Sequence, residues 1–176
     1  MIIYAWALGV FQNSKRKLVS ISRLLETQVE KCARWHAYCA ERLCEEDYNV
    51  FDQKVNTENL TKCLESLKQF YDDLALASVV CPGEAEFRSY VVLLNLNDGD
   101  TLRIVQNLRP EVRSSEAVRV AVQIHAALNR NNYVRFFRLV AGKATFLQAC
   151  ICHRYFAQIR SEGIKRIVNV YTHGTR

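Results

Sequence analysis

The sequence predicts an all-α fold class, in which stacked helical hairpins form an α-solenoid. The 176 residues include only six Gly and two Pro, and a fold with many tight turns would need more of both. Apolar residues recur at three- and four-residue steps in successive segments, as they do along one face of a helix. The connections between these segments are short, which is typical of helices that pack as antiparallel neighbours.

The N-terminal segment MIIYAWALGVF is apolar and is followed by Lys15-Arg16-Lys17. A signal peptide carries its positive charge before its apolar core, whereas here the charge follows it. The apolar segment is also too short to span a bilayer as a helix. We therefore expect a first helix or strand that packs in the core, without membrane insertion, and a membrane anchor is the alternative.

Two long helices are predicted next. The first carries a stripe that ends at the acidic residues 45–47, and the second begins after Asn56 or Thr57, either of which can cap it. The first stripe consists of Val29, Cys32, Ala33, His36, Cys39, Ala40 and Leu43. The second consists of Leu60, Leu64, Leu67, Tyr71 and Leu74.

The segment VVCPGEAEFRSYVVLLNLNDGD, residues 79–100, could form a buried strand or a capped helix. A helix is favoured because its apolar residues have helical spacing, with Pro82 suited to the first turn and Glu84 placed to pair with Arg88. Gly99 is available for a left-handed cap, and Asp100 can cap the following helix. The predicted buried stripe is Phe87, Tyr90, Val91 and Leu94.

The remaining third of the chain also has helical periodicity. Ser114 or Ser115 can cap a helix that extends to about residue 130, and a short helix from residue 133 is closed by Gly142. From residue 145 to about 171 the pattern predicts one last helix, or two helices interrupted at Gly163. The whole chain then contains about seven helices.

The cysteines and histidines offer the most obvious candidates for a metal or catalytic site. Cys32, His36 and Cys39 share one helix face, but Cys44 falls roughly 120° around the helix from Cys32, so a fourth zinc ligand is lacking. The seven Cys have no compact spacing framework, which indicates reduced thiols. No histidine has a catalytic triad pattern around it. We predict no metal, no cofactor and no enzymatic activity.

The charge is distributed unevenly along the chain. Residues 1–100 contain 11 Lys or Arg and 15 Asp or Glu, a balance of −4, whereas residues 101–176 contain 13 and 3, a balance of +10. Arginine close to aromatic residues suits RNA or an acidic partner, and a solvated helix face is the alternative. The candidate binding residues are Arg130, Arg135, Arg138 and Lys143, and a second group of Arg154, Arg160, Lys165 and Arg166.

Several ordered blocks resemble one known family. The blocks EKCARWHAYCAERLCEE, FDQKVNTENLTKCLESLKQFYDDL, CPGEAEFRSYVVLLNLNDGD, AALNRNNYVRFFRLV and FLQACICHRYFAQIR are similar, in this order, to the Sac/GANP family of mRNA-export scaffolds. The resemblance covers about residues 29–171. It implies helical hairpins of the PCI/TPR-like type that lead into a winged helix, which we expect to be missing from this chain.

The resemblance also implies a function and partners. Members of the Sac/GANP family act in nuclear mRNA export at the nuclear pore, as scaffolds of the second transcription–export complex. They pair with a PCI-domain protein and with the small acidic DSS protein, and they contact nuclear pore components. We accordingly expect a non-enzymatic scaffold in the nucleus, at the nuclear pore and also in the cytoplasm. The alternative is an independent RNA-binding helical domain that uses the arginine-rich half.

The resemblance suggests three parts of the chain. Residues 1–25 form a divergent N-terminal segment, residues 26–172 the PCI-like helical domain, and residues 173–176 a tail. Without a winged helix to cover it, the last helix should expose apolar side chains, and we expect self-association or poor solubility, which light scattering would detect. The side chains in question are Tyr155, Phe156, Ile159, Ile164, Ile167 and Val168.

Overall fold

The computed structural model describes the backbone of residues 2–173 and the side chains of residues 19–171. Within these limits all regular structure is helical and there is no strand, so the all-α prediction is confirmed. The helices are α1 (Ile2–Arg42), α2 (Gln53–Leu76), α3 (Glu84–Leu94), α4 (Thr101–Gln106), α5 (Pro110–Arg113), α6 (Glu116–Asn129), α7 (Tyr133–Gly142), α8 (Phe146–His153) and α9 (Phe156–His173).

The first hairpin is formed by α1 and α2. The predicted α1 stripe is only partly correct: Ala33 and Cys39 are buried, but Cys32 is exposed, and Ala37, outside the stripe, is fully buried. All five predicted α2 stripe residues are buried. The predicted caps of α2 were wrong, since Asp52 accepts hydrogen bonds from the backbone N–H groups of Lys54 and Val55.

The apolar N-terminal segment forms part of α1 from Ile2 onward. Its backbone is therefore helical, but its side chains lie outside the described residues, and so does the prediction that they pack in the core. In the part of the chain that the structure describes, no helix is both long enough and apolar enough to cross a membrane.

Helix α3 lies at the centre of the fold and packs against α2, α6 and α8, with α4 and α5 beside it. Phe87 and Tyr90 are fully buried, as the stripe predicted, whereas Val91 and Leu94 are half-buried. Val92 and Leu93, between them, are also fully buried because α3 is enclosed on more than one side.

The ends of α3 differ from the prediction. The helix begins at Glu84 with Gly83 as its N-cap, so Pro82 precedes the first turn instead of lying within it. It ends at Leu94 with Asn95 as its C-cap, and Gly99 does not adopt the left-handed conformation. Asp100 precedes α4 but makes no side-chain capping bond there.

The later helix starts follow capping chemistry more closely. Ser115 accepts a hydrogen bond from the Val118 N–H, as predicted, and Thr145 and Gln148 form a reciprocal capping box at α8. The break in the C-terminal helical segment lies at Arg154–Tyr155, and α9 continues through Gly163. At Gly163 a Cβ atom would lie only 3.2 Å from the Tyr133 ring, so glycine permits α9 to pack against α7.

Replacing Phe87 with Ala tests the central position of α3. The Phe87 ring is fully buried and packs edge-on against Tyr90, so its loss leaves a cavity. We expect Phe87→Ala to lower the free energy of unfolding by about 3–5 kcal/mol, measured by chemical denaturation. Leu76→Ala is the control, because Leu76 is 88% exposed. A Phe87→Ala variant that unfolds at the same denaturant concentration as the parent would contradict the assignment.

Candidate functional site

The first predicted group of cations forms an open basic groove on α7 and the turn that follows it. Arg135, Arg138 and Lys143 line it together with Gln123, Asn132, Val134 and Leu139. These three cations are exposed, and within residues 19–171 no side chain forms an ion pair with them. Arg130, the fourth member of the group, is also exposed, at the end of α6.

The sequence around the basic groove lacks acidic residues altogether. No Asp or Glu occurs between Glu116 and Glu162, a stretch that includes all of α7 and α8. The positive field of the groove is therefore not neutralised by carboxylates on its own helices. Such a surface favours a ligand that carries negative charge.

The second predicted group is engaged within the protein. The Arg160 guanidinium lies over the rings of Phe137 and Phe156, at 5.7 and 5.5 Å from their centroids, and the Arg154 guanidinium lies 5.5 Å from the Tyr155 ring. The Arg160 contact with Phe137 joins α9 to α7, and both guanidinium groups are less available as a result.

The other two members of the second group are also bonded. Lys165 pairs with Glu162 at 3.0 Å, and Arg166 donates a hydrogen bond of 3.2 Å to the Asn131 carbonyl. The structure thus separates the eight predicted residues into a groove with free cations and a set that contributes to packing.

A polar network that the sequence did not predict joins α1 to α3. Arg34 donates to Glu86 through Nε at 3.0 Å and Nη2 at 2.8 Å, and the Tyr90 hydroxyl donates to the same carboxylate at 2.6 Å. The hydrogen bond to Glu86 raises the pKa of Arg34 above its ordinary value, which is already high. Burial alone would raise the pKa of Glu86, but the hydrogen bonds from Arg34 and Tyr90 lower it below its usual value.

The Glu30 carboxylate of α1 lies against the start of α3. Glu30 accepts a hydrogen bond of 2.8 Å from the buried Tyr71 hydroxyl, and it also contacts Arg34 at 3.4 Å. A Cβ atom on Gly83 would overlap the Glu30 carboxylate, which would then have to shift from its place beside Tyr71 and Arg34. Glu30 thereby joins α1, α2 and the N-terminus of α3.

An ion network also surrounds the first turn of α3. The buried Arg88 donates to Glu84 at 3.1 Å and to Asp72 of α2 at 2.7 Å, and Arg109 binds the other oxygen of Glu84. The Glu84–Arg88 pair was predicted from its spacing, whereas Asp72 and Arg109 are distant in sequence. Removing one partner would leave a buried charge unpaired, so the network fixes how α2 and the α4–α5 segment meet α3.

A groove of about 360 Å³ opens beside this network, between α2, α3 and α4. Its floor is apolar and consists of Leu64, Val91, Leu94, Ile104 and Leu108. Its rim carries charges of both signs, from Glu65, Lys68, Asp72 and Arg109. We refer to this feature as the α2–α4 groove.

The cysteine and histidine residues are dispersed. The His36 ring lies 2.7 Å from the Asn56 amide oxygen, while Cys32 is exposed and Cys39 is buried. The described residues contain no group of three or more potential metal ligands. Burial raises the pKa of Cys150 to about 11 and that of Cys152 to about 12, so both thiols stay protonated and unreactive at neutral pH.

A row of three aromatic rings extends from α1 to α8. The sequence did not predict it. The ring centroids of Trp35 and Tyr38 are 5.9 Å apart, and those of Tyr38 and Phe146 are 6.2 Å apart. Trp35 is 63% exposed and Phe146 is 65% exposed. The sequence held one signal, since Trp35 and Tyr38 flank the buried stripe of Ala33 and Ala37 instead of lying on it.

The apolar side chains predicted to be exposed on the last helix fall into two sets. Tyr155 and Ile159 are buried, and Tyr155 is held by a hydrogen bond of 2.5 Å from its hydroxyl to the Leu94 carbonyl. Phe156 is half-buried. Ile164, Ile167 and Val168 are exposed, as predicted.

Comparison with known proteins finds similarity over most of the chain. The model of the SAC3/GANP family matches residues 11–176. Protein xmas of Drosophila melanogaster is 50% identical over 144 residues, covering 81% of this chain and 7% of that protein. SAC3 family protein 1 of Schizosaccharomyces pombe is 36% identical over 155 residues, covering 77% of this chain and 15% of that protein. The chain therefore spans a small part of these relatives.

The Arg34–Glu86 network predicts a dependence of stability on pH. Because the folded-state pKa of Glu86 is lowered, its stabilising effect is complete above the unfolded pKa of about 4.5 and is lost as the pH falls through the folded-state value. We expect Glu86→Gln to cost about 1 kcal/mol at pH 7, after allowance for solvent screening, and less at pH 3.

Denaturant unfolding at both pH values measures this difference. Glu58→Gln, at an exposed position of α2, is the control and should change little at either pH. A deficit for Glu86→Gln that is equal at pH 7 and pH 3 would show that the ionised carboxylate is not what stabilises the contact.

Proposed function

We propose that the chain, which belongs to the SAC3/GANP family, is a non-enzymatic scaffold module that acts in nuclear mRNA export. It would work at the nuclear pore, as part of the transcription–export complex, and be present in the nucleus and also in the cytoplasm. Its partners would be a PCI-domain protein, the small acidic DSS protein and nuclear pore components. The proposal is supported by the similarity to SAC3 family proteins and by one feature of the structure.

That feature is the α2–α4 groove. An apolar floor with a rim of mixed charge is the composition of a protein-binding surface, where apolar area contributes affinity and rim charges select the partner. Beside the floor, α2 and α3 are joined by the Arg88–Asp72 ion pair. We propose that the PCI-domain partner docks here.

Two neighbouring residues of α4 provide a matched test. Ile104 lines the groove and is 37% exposed, whereas Leu102 is 47% exposed and lies outside it. We expect Ile104→Asp to weaken co-purification with the PCI-domain partner at least about tenfold, because a charge in an apolar contact is desolvated without compensation. Leu102→Asp should leave co-purification unchanged. Equal binding by both variants would rule out docking in the groove.

The basic groove favours a second candidate function, which is RNA binding by the arginine-rich half. Its support is that Arg135, Arg138 and Lys143 face solvent without ion pairs in the described residues, where phosphates could reach them. The second predicted group contributes less to this proposal, because its side chains are engaged with aromatic rings, with Glu162 and with the Asn131 carbonyl.

A salt titration with two charge-matched variants tests RNA binding. Arg135→Glu/Arg138→Glu and Lys54→Glu/Lys62→Glu change the net charge equally, but only the first pair lies in the basic groove. We expect the first variant to lose most of the RNA affinity and to flatten its dependence on salt, because single strands give a slope of about −0.7 per phosphate contact. Equal losses in the two variants would indicate a general effect of charge.

A further inference from the structure

The aromatic row and the basic groove meet at the turn between α7 and α8. Lys143 lies at one end of the basic groove, and Phe146, three residues later, is the last ring of the aromatic row. At the other end of the row, Trp35 and Tyr38 share a shallow surface with Lys31 and Arg34 of α1. The row thus has Lys31 and Arg34 beside it on α1, and Lys143 in the turn just before Phe146.

The two ends differ in how much charge is available. Arg34 is bound to Glu86, so Lys31 is the cation at the α1 end that has no ion-pair partner among the described side chains. The α7 end contributes Arg135, Arg138 and Lys143. A ligand with several negative charges would thus be held mainly at the α7 end and could extend across the rings towards Lys31.

The aromatic row is held in place from behind by α3. On the α1 side the Arg34–Glu86 bond fixes the helix turn that carries Trp35. On the α8 side the buried Gln148 donates to the Ser89 hydroxyl at 2.9 Å, and it closes the capping box with Thr145 immediately before Phe146. A preorganised ring loses little freedom when a ligand stacks on it.

We propose that the aromatic row and the basic groove together bind single-stranded RNA, with unpaired bases stacked on Trp35 and Phe146 and phosphates against Lys143, Arg138 and Arg135. The inference rests on the second candidate function above and specifies its site and its ligand. Exposed rings between cations are the arrangement that binds unpaired bases, since every base offers a π-face and every nucleotide a phosphate. A duplex keeps its bases paired and stacked, so it could use the cations but not the rings.

The test replaces the rings without changing the charge. The full chain and its variants are titrated into fluorescent oligouridine, and separately into an RNA duplex of equal length, with fluorescence anisotropy as the readout. Trp35→Leu/Phe146→Leu keeps apolar side chains at both positions but removes the π-faces. Trp35→Phe/Phe146→Tyr keeps a ring at each. Both sites are mostly exposed, so folding should be preserved, and circular dichroism and thermal unfolding verify it.

We expect the leucine variant to bind oligouridine about tenfold or more weakly than the parent, while its duplex affinity and its salt dependence stay unchanged. The variant that retains rings should keep most of the affinity. Stacking should also quench the Trp35 fluorescence of the parent when oligouridine is added. Trp35→Phe removes the Trp35 fluorescence and therefore its quenching, because Trp6 is then the only tryptophan.

Three other results would overturn the inference. If Arg135→Glu/Arg138→Glu weakens binding but the leucine variant does not, the basic groove binds RNA without the rings, and the proposed RNA function stands alone. If oligouridine and the duplex bind equally well to every variant, stacking plays no part. If the leucine variant binds oligouridine normally but loses a protein partner, the aromatic row is a protein-docking surface.

Discussion

The enclosure of α3 is the constraint on which the rest of the structure depends. A helix packed against α2, α6 and α8 cannot leave its polar side chains to water, yet α3 carries Glu84, Glu86 and Arg88. Each of them must find a partner on a neighbouring element, because an unpaired buried charge would cost several kcal/mol. The partners are Arg34 of α1, Asp72 of α2 and Arg109 before α5. The packing of α1, α2 and the α4–α5 segment around α3 is therefore specified by charge pairing as well as by apolar burial.

This pairing also determines which charges remain for other molecules. The acidic residues of the first half that could have balanced the basic half are partly used within the α1–α3 region. In the second half, Arg154 and Arg160 lie over aromatic rings, and Lys165 and Arg166 are bonded to neighbours. Among the described residues of the second half, Arg135, Arg138 and Lys143 form no ion pair and line one groove together. The excess of positive charge in that half is therefore accessible at the basic groove.

The sequence predicted the fold class, the α2 stripe, the Ser115 cap and the Glu84–Arg88 pair, because each depends on residues within a few positions of one another. It missed the Asp52 cap, since Asn56 in fact faces α1 and bonds to the His36 carbonyl and ring. It also predicted one last helix or two interrupted at Gly163, whereas the break lies at Arg154–Tyr155 and the glycine serves a close approach of α9 to Tyr133. The basic residues were identified, but their division into free and engaged groups depends on contacts between α7 and α9. The aromatic row depends likewise on α1 meeting α8, which no local pattern reveals.

The two proposed binding surfaces share no residue, but both are supported by α3. The α2–α4 groove has Val91 and Leu94 of α3 in its floor, and the aromatic row is held by Glu86 and Ser89 from the same helix. A substitution at the rim of one surface should therefore leave the other intact, whereas loss of the α3 core would disable both. A scaffold that binds a protein and RNA at once needs this arrangement, because each ligand then meets a preformed surface and neither must displace the other. The central helix keeps the two surfaces rigid, and their separation keeps them independent.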